Sequence, residues 1–136
     1  MIHDPDKIVN NENSTEDDDI DFEISFYEDV VNANPNFTNA LILLGDAYTQ
    51  KGFHDKALGV DQHLSKLLPT DSTVHYNLAC DYSLLKKTQS CLETLDKALK
   101  LGYKAFKHME KDPDLEFIRQ DPRYKELLLK YRKKRS

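Results

Sequence analysis

Residues 41–69 read LILLGDAYTQKGFHDKALGVDQHLSKLLP. Within this stretch, Leu41, Leu44, Gly45 and Tyr48 are followed by Gly52, Ala57 and Pro69. Moved on by 34 residues the pattern recurs: Leu44-Gly45 falls on Leu78-Ala79, Tyr48 on Tyr82, Ala57 on Cys91, Leu64 on Ala98 and Leu67 on Leu101. Moved back by the same step, Pro69 falls on Pro35 and Leu64 on Val30. Small, large and aromatic residues at fixed offsets with this period mark paired-helix repeats, in which each pair buries an apolar face against its neighbour. Gly52 is a natural left-handed helix end, and Pro69 closes the second helix because the residue before proline leaves the helical region. The spacing therefore predicts helices over 38–51 and 54–67. Gly45 and Ala57 allow the two to approach closely, with Leu41, Leu44 and Tyr48 in the seam.

The rest of the chain falls into place around this stretch. Residues 1–17 are acidic, rich in Asn and poor in large apolar groups, a composition that predicts a disordered leader. A helix is expected to open near Asp18 or Asp19 and run over 19–33. Its apolar stripe is Ile20, Ile24, Tyr27, Val30 and Val31, and Asn34-Pro35 ends it. Repeat one then spans 38–71 and repeat two 72–105. In repeat two, Asp71 is the N-cap of a helix over 72–85 and Thr88 the N-cap of its partner, which stops at Gly102. Asp112-Pro113 and Asp121-Pro122 each place an N-cap acid before a proline at the first helical position. They predict short capping helices over 105–111, 113–119 and 122–131, leaving 132–136 as a basic tail.

Composition bounds the function. The 136 residues suit one soluble domain, 39% hydrophobic and 32% charged, with no run of 18 apolar residues and no basic-then-apolar leader. The net charge of −5 is unevenly spread. Nine acids lie in residues 1–23 against Lys7 alone, and five basic residues lie in 130–136 with no acid. Cys80 and Cys91 lack metal spacing and read as cytoplasmic thiols. The five histidines show no HExxH and no paired Cys/His spacing, and there is no glycine-rich phosphate loop. Asp17-Asp18-Asp19 lacks the alternate spacing of a calcium loop. The expectation is a protein that is not an enzyme and needs no cofactor or metal. The acidic balance argues against nucleic acid as a partner, despite the basic end.

The pattern Leu44-Gly45-x-x-Tyr48…Ala57…Pro69, with its recurrence, resembles the tetratricopeptide repeat (TPR) family over about residues 20–130. The series Gly102-Tyr103, Asp112-Pro113-Asp114-Leu115 and Ile118-Arg119-x-Asp121-Pro122-Arg123-Tyr124 looks like the segment that closes TPR arrays in many, mainly bacterial, proteins. The resemblance implies an all-α, right-handed α-solenoid of antiparallel helix pairs. Asp61 departs from the family pattern, which has an aromatic there. With Gly59 beside it, it predicts a solvated acid on a looser helix, at about 1 kcal/mol for the glycine.

The same resemblance implies a protein–protein interaction module whose concave groove holds a peptide or a partner helix. On that face stand Asn39, Ile42, Asp46 and Thr49 from repeat one, Thr73, Tyr76, Asn77, Cys80 and Ser83 from repeat two, and Lys107 and Lys111 beyond. Tyr76 is the expected apolar anchor, Asn77 the backbone ligand, and the two lysines the partners of a carboxylate. Their alternatives are a packed tyrosine and two solvated charges. Asn77, Lys107 and Lys111 match part of the clamp with which some TPR co-chaperones grip acidic chaperone tails. Ile42 and Asp46 depart from that clamp, and Asp46 would repel a carboxylate. A second expectation is a self-associating subunit, a monomer or weak homodimer joined through the incomplete N-terminal edge. Neither a small-molecule substrate nor a membrane is expected.

Overall fold

The computed structural model describes residues 12–135. The first five helices pack against one another in chain order, with no strand among the described residues. The elements are α1 (Glu12–Ala33), α2 (Thr38–Lys51), α3 (His54–Leu67), α4 (Ser72–Leu84), α5 (Thr88–Lys100), α6 (Phe106–Lys111), a 3-10 turn (Pro113–Leu115), α7 (Glu116–Arg119) and α8 (Pro122–Arg135). The described residues form an all-helical fold, as the periodicity predicts.

The helix ends follow from local chemistry. Gly52 takes φ 83° at the end of α2, where its N–H bonds Thr49 O and the Phe53 N–H bonds Tyr48 O. One period later Lys86 occupies the same left-handed conformation at φ 60°, and the Lys87 N–H bonds Tyr82 O. The turn is thus dictated by the repeat even where glycine is missing. Because that bond fixes Lys87, Thr88 is the first residue of α5 and not its cap; Lys87 stands at the N-cap and makes no side-chain bond there. Asp71 does cap α4, accepting from the Thr73 and Val74 amides. Asp112 accepts from the Asp114 amide and Asp121 from the Arg123 amide, so both Asp-Pro signals mark real helix starts.

The helix expected over 113–119 is split into the 3-10 turn and α7, and the two ends of the fold differ most from the sequence reading. The first helix opens at Glu12, so part of the expected leader, residues 12–17, is helical; residues 1–11 lie outside the described residues. The carboxylates of Asp17 and Asp21 lie one turn apart and meet Lys51 Nζ at 3.7 and 3.0 Å. Acids in the first turns also suit the positive end of the helix. At the other end α8 continues to Arg135 rather than stopping near Tyr131.

The core runs from one helix pair into the next. Ile24, Leu44, Ala47, Tyr48 and Ala57 join α1 to the first pair; Leu41, Leu64 and Val74 bridge the two pairs. The largest cluster gathers Cys91, Leu95, Ala98 and Leu99 from the second pair with Met109, Leu115, Ile118, Tyr124, Leu128 and Tyr131 from the closing segment. Leu95, Leu99, Met109, Leu115 and Ile118 are fully buried, so the closing helices cover the apolar face of the second pair. Such burial at ~25 cal/mol per Å² is the main force holding short helices in place.

Gly45 faces the second helix of its pair. A Cβ there would lie 3.0 Å from Asp61 Oδ1 and 3.5 Å from Val60 Cγ1. Gly45→Val is therefore expected to lower stability by about 2 kcal/mol, the cost of overpacking a tight helix seam. Urea unfolding followed by circular dichroism measures it, and an unchanged midpoint would refute the close approach.

A carboxylate-lined hollow as the candidate functional site

Asp61 is the first surprise. It stands between Ala57 and Leu64 on the buried stripe of α3 and is itself buried, not solvated, while α3 runs unbroken through Gly59. Its partner is Asp81 on α4, also buried, and the two carboxyls hydrogen-bond to each other. Two carboxyls can bond only if they share a proton, and burial in a low-dielectric site favours keeping it. Burial first, then the bond and charge of Asp61, push the Asp81 carboxyl up to about 10. An acid stays in this core because its charge is suppressed by a second acid.

Around this pair the helices leave an open hollow of about 350 Å³. Asp46, Thr49 and Gln50 reach it from α2, Asp61 from α3, and Tyr76, Asn77, Cys80 and Asp81 from α4. His108 comes from α6, Asp112 from the turn after it and Asp114 from the 3-10 turn. Among the described residues, no lysine or arginine lines it. Burial raises the Asp46 carboxyl, and burial followed by the charge of Asp112 raises that of Asp114. Oδ2 of Asp81 has no hydrogen-bond partner.

Asp112 organises the wall nearest the closing segment. Its Oδ2 accepts from Tyr76 Oη at 2.5 Å, lies 3.9 Å from Cys80 Sγ and meets His108 Nε2 at 3.2 Å. Oδ1 takes the Asp114 amide at 3.0 Å. Arg119 turns away from the hollow and donates to the carbonyls of Met109 and Asp112 at 2.6 and 2.9 Å, tying the short helices together. Cys80, Asp112 and Asp114 offer ligand atoms within 4.8 Å of one another. Both oxygens of Asp112 are already engaged by protein groups, and the Cys80 thiol is held well above its usual range by burial first and Asp112 second.

The sequence-predicted face is only partly assembled. Asp46, Thr49, Tyr76, Asn77 and Cys80 line the hollow. Ile42 and Thr73 line a smaller neighbouring one of about 90 Å³, which Asp46 and Asn77 also border. Tyr76 is not an exposed anchor: it is 3% exposed, and its ring stacks on Tyr103 at 4.1 Å between centroids. Ser83 is fully buried. Asn39, Lys107 and Lys111 are exposed and line neither hollow. His108, not a lysine, is the basic side chain that α6 brings to the hollow. Sequence reasoning missed Asp61, Asp81, His108, Asp112 and Asp114. One signal was present, an acid at the centre of the apolar stripe Ala57, Asp61, Leu64.

Fold and site together define a class: an all-helical chain, compatible with a helical repeat, carrying an acid-lined hollow across consecutive helices. No family model matches the chain. It is 37% identical over 90 residues to a curated chloroplastic protein of Arabidopsis thaliana, an alignment that covers 64% of this chain and 27% of that protein. The chain thus spans about a quarter of the length of the curated relative it matches.

Proposed function

We propose that this chain is a non-catalytic protein–protein interaction module, a short right-handed TPR-like array holding a peptide or partner helix of another protein in its concave groove. The observation that carries this reading is the hollow itself. It is lined by α2 and α4, which stand one 34-residue step apart, and by the first closing helix, with polar side chains on a scaffold of packed pairs. Asn77, half-buried at the hollow, is placed to bond an extended backbone. A groove this small supports binding on the order of micromolar, or about −8 kcal/mol.

A cytoplasmic location belongs to the same reading, and two free buried cysteines support it. No helix of the described residues is long and apolar enough to cross a membrane. Two of the five basic residues of 130–136 pair within the chain, Arg132 with Glu110 and Lys130 with Asp96, which favours a protein partner over nucleic acid.

The test is capture from lysate with wild-type protein beside an Asp46→Lys, Asn77→Ala variant, both of which change groups outside the core. Proteins held by the wild type and lost by the variant establish recognition through the hollow. The same proteins on both baits refute it and move attention to α1. There Phe22 and Phe26, 72% and 53% exposed, favour the second reading, a homodimer through the N-terminal edge. Ile24, on the apolar stripe of α1, is buried against the first pair and is not free for such a contact.

A further inference from the structure

The chemistry of the hollow restricts what it can hold. Five aspartates line it, and among the described residues His108 is the one basic side chain that does so. His108 is already paired with Asp112 and sits at the open edge, with its side chain 61% exposed. Acidic clusters are common on protein surfaces, but this one has a further property. Asp81 is 2% exposed, lies in the wall of the hollow, and its Oδ2 has no hydrogen-bond partner. A buried polar atom left without a partner is costly, so a group that supplies a donor there is bound with advantage.

We propose that the hollow is the pocket for a single cationic side chain, an arginine foremost, carried by the partner peptide. This rests on the groove reading above and names the chemistry of its ligand. A guanidinium presents several N–H donors in a plane and pairs with carboxylates two bonds at a time. In the hollow it meets Asp46 at the rim and, deeper in, the Asp61–Asp81 pair, and it offers Oδ2 of Asp81 a donor beside the proton that the pair shares. The aliphatic stem has room within about 350 Å³, a volume much larger than a bare metal ion requires. Asn77 and Thr49 line the same hollow and offer polar groups to the peptide backbone. The charge sign is opposite to that of a clamp for acidic tails, which the Ile42 and Asp46 positions already disfavour.

The experiment is an NMR titration of the full chain, following backbone amides, with the capped tripeptide Ala-Arg-Ala. Its twin carries citrulline, which has the shape of arginine without the charge. The expected result is that the arginine peptide moves the amides of Thr49, Asn77 and Asp81. The citrulline peptide binds about tenfold or more weakly, and Asp81→Asn and Asp46→Asn each lose about tenfold. Asp46 lies at the exposed rim, so its variant reads binding without touching the core. Equal shifts from both peptides at the hollow would overturn the cationic pocket and leave the groove reading standing. Shifts at Cys80, Asp112 and Asp114 from zinc or calcium chloride, with none from the arginine peptide, would overturn it in favour of a metal site. No response at the hollow to either peptide or ion would overturn it as well, while lysate capture decides the groove reading separately.

Discussion

Replacing Asp112 by alanine is expected to lower the stability of the chain by about 3 kcal/mol. Asp112 is buried and joins the closing segment to the second helix pair. Its loss leaves the Tyr76 hydroxyl, deep under Tyr103, without the acceptor it now meets at 2.5 Å. A buried donor left unpaired costs about 1–3 kcal/mol. It also removes the side-chain cap on the Asp114 amide, worth about 1 kcal/mol. Tyr76→Phe alone removes both the donor and its need for an acceptor, and is expected to cost only about 1 kcal/mol. The double variant should then be less destabilised than the sum of the two, because the partners act on one bond. Urea denaturation of the four proteins completes the cycle. Strict additivity with a small Asp112 effect would show that the closing segment is held by its apolar contacts alone.

The second large effect concerns pH. The folded-state carboxyl of Asp81 lies far above its unfolded value near 3.9, so the folded chain binds the proton more tightly than the unfolded chain does. The stabilisation from that proton is complete below about pH 4. It drains away as pH rises towards about 10, where the folded pair must ionise. The wild type should therefore lose stability steadily between pH 5 and pH 9. In Asp81→Asn the amide keeps the shape and donates to Asp61 with no proton to lose. At about pH 8 the variant should be more stable than the wild type by about 2 kcal/mol, and near pH 4 the advantage should disappear. A shallower fall should remain, because burial raises the half-buried Asp114 in the same direction. Asp121, drawn down to about 2 by its hydrogen bonds from Arg123, pulls the other way only at strongly acid pH. Chemical unfolding at a series of pH values checks this, and parallel wild-type and variant curves would show that the pair holds no shared proton.

The secondary structure was legible because its determinants are local. The period carried by Leu44, Tyr48, Ala57 and Pro69 placed α2 and α3 at their observed bounds. Asp71, Gly52 and the two Asp-Pro steps set the ends they were expected to set, since a cap or a fixed φ needs only neighbouring residues. The closing segment was legible for the same reason, as a row of short helix starts followed by apolar residues.

The site was legible only in part. Thr49 and Asn77 project where a helical repeat places them, but Tyr76 turns inward because Asp112, 36 residues away, supplies an acceptor for its hydroxyl. Lys107 and Lys111 stay outside the hollow, and His108 takes the place at its edge. The Asp61–Asp81 pair was invisible because neither acid explains the other until α3 and α4 are packed. Read singly, an aspartate on an apolar stripe predicts exposure, since an isolated buried charge is too costly. Interactions within a turn or two of the chain thus set where helices begin and end and which faces are apolar. Which acids face one another was settled by helix packing. A shared proton needs two carboxyls a hydrogen bond apart, and that distance is set by helix packing, not by order along the chain.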